Sequence, residues 1–292
     1  MNTTNPPARL LLGIGLIIVA GTMLASHDAA TKFLASAHSV TLIIWFRYSV
    51  QTLLLLILFW PKMGRQLLHS HLPLLQLLRG FSLLGVSMLL ISGLRYIPLA
   101  EATAVIFLAP VFVTILSALF LHEQVSRGQW LGVGLGLLGV GLIVRPGSDL
   151  FSLPILLPLA AAVCFALYQL LTRMLAGKDH PATSNFYSGL IGSVLLLPFG
   201  LWQFDQLQEM NSTTITMLMA LGAIAMTAHM LLTMAFRYAS AVILAPFTYA
   251  QIVSAGVIGW LAFDQLPDRW ALLGAAIIIA AGIWSGWQQL RK

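Results

Sequence analysis

The chain has 292 residues, of which 59% are hydrophobic and 8% charged, and its mean hydropathy is +0.91. A soluble domain carries roughly a quarter charged residues, so this composition does not build a water-facing surface, and a soluble catalytic module is hard to fit. The net charge of +6 would suit nucleic acid if the basic residues formed one phosphate-facing stripe, but they are scattered between apolar runs, so no nucleic-acid partner is expected.

A membrane span takes about 20 residues for a hydrocarbon core of roughly 30 Å, and ten such runs follow one another along the chain. The first, 10–34, comes after Arg9 and has a signal-peptide look, yet so many spans follow that it reads as retained. It carries His27 and Asp28 about two turns before its far end. The second, 40–60, carries Arg47 about two turns in, and the third is 72–94. The fourth, 98–121, holds Glu101 just inside its start and Pro110 in its interior. Gly132, Gly134, Gly136, Gly139 and Gly141 give the fifth, 128–145, a close-packing face. The sixth, 153–176, contains Cys164, the single cysteine, which cannot pair within the chain, and then Tyr168, Gln169 and Thr172. Asn185 and Tyr187 lie in the seventh (184–204), His229 in the eighth (213–235), Pro246 and Tyr249 in the ninth (240–262), and the tenth is 270–288. Trp45, Trp60, Trp130, Trp260, Trp270 and Trp284 fall near span ends, as interfacial anchors do. Stretches such as Leu53 to Trp60 are apolar throughout, which excludes the alternation of a barrel strand.

With the N-terminus in the cytoplasm, one side receives ten basic residues: Arg9, Lys62, Arg65, Arg79, Arg127, Arg173, Lys178, Arg237, Arg291 and Lys292. The other receives five: Lys32, Arg47, Arg95, Arg145 and Arg269. This bias places both termini in the cytoplasm. The halves also echo each other. Leu94-Arg95-Tyr96 matches Phe236-Arg237-Tyr238, Glu123-Gln124-Val125 matches Asp264-Gln265-Leu266, and Trp130 matches Trp270, at offsets of 142, 141 and 140 residues. The expected fold is therefore an all-α integral membrane protein of ten transmembrane helices in two five-helix repeats, 1–146 and 147–292. Five is odd, so the second repeat enters the membrane from the opposite side and the repeats are inverted. Secondary transporters recur to that architecture, with substrate near the midplane between the halves.

A charge at the centre of a span costs at least about 2.5–3.5 kcal/mol, so ionisable groups there are functional candidates. Asp28 and Arg47 fall at similar depth. They form an interhelical ion pair or share a polar cavity, unless Asp28 pairs with Lys32 one turn on while Arg47 reaches outward. Glu101 faces the cavity or favours a helix N-terminus, and Glu123 and Asp264 read as helix-end residues. Tyr168, Gln169, Asn185, Tyr187, His229 and Tyr249 are candidates for a zwitterion or heteroaromatic ring, or serve as hydrogen bonds between helices. Pro110 and Pro246 mark broken helices or plain kinks. An intramembrane enzyme is the rival class, as is an assembly protein. Metalloprotease, serine-hydrolase, nucleotide-binding and Cys-x-x-Cys motifs are all absent from the chain, so no enzyme, cofactor or metal is expected. Active transport would then draw on a gradient, a proton titrating at Asp28, Glu101 or His229 being one route and exchange or uniport the others.

Pro98-Leu99-Ala100-Glu101-Ala102-Thr103 through Ala109-Pro110, then Leu121-His122-Glu123-Gln124, resembles the fourth span and following loop of EamA-type transporters of the drug/metabolite transporter superfamily. Ala235-Phe236-Arg237-Tyr238-Ala239-Ser240-Ala241 through Ala245-Pro246-Phe247-Thr248-Tyr249 resembles the same segment in the second half. Phe263-Asp264-Gln265 departs from the family's usual Gly-Glu. The resemblance covers essentially the whole chain and implies a multi-pass carrier of the cytoplasmic (cell inner) membrane, with the lipid bilayer and a small-molecule substrate as partners and a homodimer left open. It favours export of an amino-acid-like or amino-acid-derived solute, such as an opine-type metal chelator, over import of a vitamin or nucleotide-like compound such as riboflavin or S-adenosylmethionine.

Overall fold

The computed structural model describes residues 6–120, 127–144, 152–175, 177–238, 244 and 247–290. Every regular element among them is a helix: α1 Pro6–Ala35, α2 Val40–Met63, α3 Pro73–Leu94, α4 Leu99–Ile106, α5 Ala109–Phe120, α6 Arg127–Ile143, α7 Leu156–Leu175, α8 Pro181–Trp202, α9 Phe204–Gln208, α10 Ser212–Tyr238, α11 Ala250–Phe263 and α12 Arg269–Leu290. Short 3-10 turns at Gly64–Leu68 and Leu153–Ile155 join them. Helices satisfy their own backbone hydrogen bonds, which lipid requires. Six stretches, beginning at Leu10, Val40, Pro73, Leu153, Pro181 and Ser212, are long and apolar enough to cross a membrane, and four more apolar helices are shorter. Large apolar side chains such as Leu53, Ile57, Phe81, Leu138 and Val194 are exposed, as expected of a surface that meets lipid.

The fourth expected span is two helices. α4 stops at Phe107, whose backbone N–H donates to the Thr103 carbonyl while the Leu108 N–H tightens onto that of Val105, and α5 restarts at Ala109. Pro110 falls in the first turn of α5, where a missing N–H costs nothing because first-turn donors have no intrahelical acceptor. Glu123 and Pro246 lie outside the described residues. Asp264 ends α11 in the left-handed region, with φ 54° and its N–H on the Trp260 carbonyl, so it is a helix-end residue.

Helix pairings follow the 141-residue offset. α1 packs on α10 and α7 on α3; α2 packs on α10 and α8 on α3; α1 packs on α11 and α7 on α4 and α5. Exchanging the halves also maps two pairings, α2 with α8 and α6 with α12, onto themselves. At the α2–α8 contact, Thr52 Oγ1 and Ser193 Oγ, 141 residues apart, lie 3.2 Å from each other. Glycines permit the close approaches: a Cβ at Gly192 would enter the Tyr48 ring, and one at Gly222 would meet Val50. The expected glycine face of the fifth span is narrower than its sequence suggests. Gly139 abuts Gly274 and Ile278 of α12 and Gly136 abuts Val111, while Gly134 and Gly141 face open space. Positions 136 and 139 share one helical face and 134 and 141 another. Trp45, expected as an interfacial anchor, is only partly exposed and packs where a Cβ at Gly200 would sit.

Candidate functional site

The apolar interior is interrupted by a column of buried polar side chains between α1, α2, α3, α7, α8 and α10. On α3 the residues Gln76, Arg79 and Ser87 share one face, spaced at helical intervals with Leu83 between; all are buried. Arg79 and Ser87 are eight residues apart, about 12 Å along the helix, so this one face spans both ends of the column.

At one end Arg79 is wholly buried. Its Nε donates to Thr172 Oγ1 at 2.8 Å, one terminal nitrogen to the Ser184 carbonyl at 2.7 Å and to Ser188 Oγ at 2.8 Å, and the other to the Tyr168 hydroxyl at 2.7 Å. The guanidinium carbon also lies 4.5 Å from the centre of the Tyr168 ring. α3 is thereby tied to α7 and α8. Sequence reasoning had counted Arg79 among the loop cations, although it sits six residues inside the apolar run. It had likewise counted Arg47 on the far side, and without these two buried arginines the basic bias stands at nine against four.

At the other end Arg47, 3% exposed, donates from one terminal nitrogen to Ser87 Oγ at 2.8 Å, and its guanidinium stacks 4.0 Å from the centre of the Tyr48 ring. Ser87 also meets the Tyr48 hydroxyl at 2.9 Å. Neither expected ion pair of Asp28 forms: its carboxylate meets His27 Nδ1 at 3.0 Å rather than Arg47 or Lys32. Lys32 donates instead to the carbonyls of Leu94 at 2.7 Å and Ile97 at 2.5 Å; Leu94 ends α3, where the last carbonyls lack intrahelical donors, and Ile97 lies in the connection to α4. Arg47 is held inward by Ser87 and Tyr48, so it does not reach outward. Among the described residues neither buried guanidinium has a carboxylate in ion-pair range.

His229 joins the ends. Its ring meets Tyr168 edge-on at 6.2 Å, and it lies within electrostatic reach of Arg47, Arg79 and His27. Several buried polar atoms here have no partner among the described residues: His27 Nε2, Arg47 Nε, both amide atoms of Gln51, and His229 Nδ1. Each such atom costs about 1–3 kcal/mol unless something satisfies it. Folding alone gives no reason to keep five together. Tyr48, Gln51, Gln76 and Ser87 were missed by sequence reasoning, yet the spacing Arg47, Gln51 and Gln76, Arg79 within apolar runs was a legible signal.

Five of the expected residues, His27, Asp28, Arg47, Tyr168 and His229, belong to this column. Others lie elsewhere. Asn185 donates to the Pro181 carbonyl and toward Met230 Sδ, and Tyr187 donates to the Leu68 carbonyl. Gln169 is half-buried beside Tyr168. Tyr249 packs on Phe107 at 5.5 Å, and buried Glu101 lies in electrostatic reach of Lys32 and Asp268.

Beyond the Arg79 end, Asp179 in the α7–α8 turn accepts from Ser70 Oγ, the His71 N–H and Gln76 Nε2. Burial pushes its carboxyl upward, but those three hydrogen bonds and the nearby His71 outweigh burial and hold it below the usual carboxylate range. A carboxylate with a depressed folded pKa stabilises above its unfolded pKa and loses that contribution as pH falls through the folded value. Protection of the His71 and Leu72 amides relative to their intrinsic exchange rate should therefore be high at neutral pH, fall in acid below the ordinary carboxylate range, and be low at every pH in Asp179→Ala. Exchange in the variant equal to wild type would show that this clasp does not hold.

The EamA-like transporter family model matches residues 11–145 and, a second time, 152–286. An S-adenosylmethionine uptake transporter of Rickettsia bellii is 26% identical over 275 residues, 94% of this chain and 92% of that protein. A riboflavin transporter of Vibrio cholerae is 31% identical over 210 residues, 70% and 68% of the two chains. A pseudopaline exporter of Pseudomonas aeruginosa is 28% identical over 274 residues, 93% and 94%. A crystal structure at 19% identity superposes with a TM-score of 0.64, covering 98% of this chain and 99% of the other, and shares the fold.

Proposed function

The chain belongs to the EamA-like transporter family, and on that premise we propose that it exports a small polar, amino-acid-derived metabolite across the cytoplasmic membrane by alternating access through the column. The observation that carries this reading is the group of unpartnered polar atoms on His27, Arg47, Gln51 and His229, buried where helices of the two halves meet. A polar solute in transit would satisfy them; a static scaffold would not need them. The ten spans form two inverted repeats, 1–146 and 147–292, and both termini lie in the cytoplasm, in keeping with the remaining basic bias. The 141-residue offset in helix pairing supports two related halves moving about a shared site. In this orientation Asp179 clasps the cytoplasmic end, and Lys32 lies at the outer end.

Relatives are named for uptake and for export, and the experiment separates the two. Metabolites are measured inside cells and in the medium, with and without the gene. Export predicts that one solute accumulates inside the deletion strain and disappears from its medium; lost uptake with unchanged secretion would establish the importer. Asp28→Asn, which removes the charge that fixes the His27 ring, should reduce transport by about tenfold or more with the protein still inserted, as expected for an intramembrane ionisable group. Normal transport by that variant would remove Asp28 from the site.

A further inference from the structure

The two buried arginines differ in what they have left to give. Arg79 spends donors from all three nitrogens on Thr172, Ser184, Ser188 and Tyr168, so it is a fixture of the fold. Among the described residues Arg47 makes one side-chain hydrogen bond, to Ser87, and its Nε has no partner. One turn along the same face of α2, Gln51 is wholly buried with both its amide oxygen and its amide nitrogen unpartnered. His27 and His229, each with one unpartnered ring nitrogen, lie within electrostatic reach of Arg47. The column holds Arg47 and Arg79 against Asp28, and with neutral histidines that leaves an excess of one positive charge. Asp28 is engaged by His27 and makes no direct ion pair with Arg47, so the Arg47 fork itself is open to an anion.

We propose that Arg47 and Gln51 form a subsite for a carboxylate group of the cargo, an inference that rests on the transporter reading above. A carboxylate matches the planar guanidinium fork with two parallel N–H···O bonds, and the Gln51 amide N–H adds a third donor. One negative charge brings the column to neutrality. A phosphate dianion would overshoot, and a cationic solute would meet uncompensated like charge in a low dielectric, where it is poorly screened.

The test uses full-length protein in proteoliposomes loaded with small-molecule extract from cells lacking the gene, half of it untreated and half with its carboxylates converted to methyl esters. Efflux is followed by mass spectrometry. The solutes released only from protein-containing vesicles should carry a carboxylate, and their release should vanish after esterification. Arg47→Gln should lower that release by about tenfold or more, the loss expected when a charge-assisted hydrogen-bond pair is removed. Arg47→Lys should fall between the two, retaining charge without the fork. Gln51→Leu, which replaces an unpartnered amide by an apolar side chain of similar size, should insert normally and still weaken transport, so the proposal stands or falls even if Arg47→Gln folds poorly. Release of solutes without a carboxylate, release unchanged by esterification, or normal release by Gln51→Leu and Arg47→Lys would overturn the subsite and leave the transporter reading intact. No protein-dependent release at all would overturn the transporter reading and the subsite with it.

Discussion

Arg79→Ala is expected to lower the protein's stability by about 3 kcal/mol, because it leaves a side-chain-sized void and strips donors from the Tyr168 hydroxyl, Thr172, Ser188 and the Ser184 carbonyl. Orphaned buried groups cost about 1–3 kcal/mol each, although interhelical hydrogen bonds in membranes average only about 0.6 kcal/mol, and the cavity adds to the loss. Lysine should rescue less than half of it, since one ammonium cannot reproduce a fork reaching four helix-borne acceptors. Thermal unfolding of the purified protein reads both variants. Unfolding of Arg79→Ala at the wild-type temperature would mean that α3 is held to α7 and α8 by apolar packing alone.

Gly192→Leu should be still more disruptive. Even a Cβ at this position enters the ring of Tyr48, which is wholly buried and lies under the Arg47 guanidinium. The added side chain must push α2 from α8. Overpacking of a core costs about 1–3 kcal/mol when side chains shift and more when backbone must, and here the shift also displaces Arg47. The expected result is loss of monodisperse, inserted protein. Gly134→Leu is the matched control, because nothing lies within 4 Å of its Cβ position; it should leave the yield unchanged. Equal behaviour of the two variants would show that the α2–α8 approach is not tight.

Much of the fold was legible because lipid imposes simple rules on sequence. Continuous apolar runs had to be helices, and their starts at Val40, Pro73, Pro181 and Arg269 lie within a few residues of the expected boundaries. The near-constant offset between Arg95 and Arg237, or Trp130 and Trp270, carries the repeat in the sequence itself. The site was harder to read, for three physical reasons. Charge counts do not say whether a cation lies in a loop or six residues inside a span, so Arg79 was placed with the loops. Similar depth does not imply contact, so sequence left open whether Asp28 and Arg47 pair or only share a cavity, and His27 and Ser87 are their respective partners. Residue type does not reveal direction around a helix, so Tyr187, which bonds a loop carbonyl, looked equivalent to Tyr168, which faces the column.

Alternating access is the central claim, and it requires that the middle of the column be reached by water from each side in turn. Gln51 is the residue to interrogate, being wholly buried and unpartnered, and the chain's single cysteine makes a clean background simple to build. Gln51→Cys is introduced together with Cys164→Ala, and a charged, membrane-impermeant thiol reagent is applied to intact cells and, separately, to inside-out vesicles. Modification from both sides, with lipid-facing Val194→Cys unmodified from either, is the predicted result. A Gln51→Cys thiol that stays unmodified from both sides, or reacts from one side only under all conditions, would contradict the account.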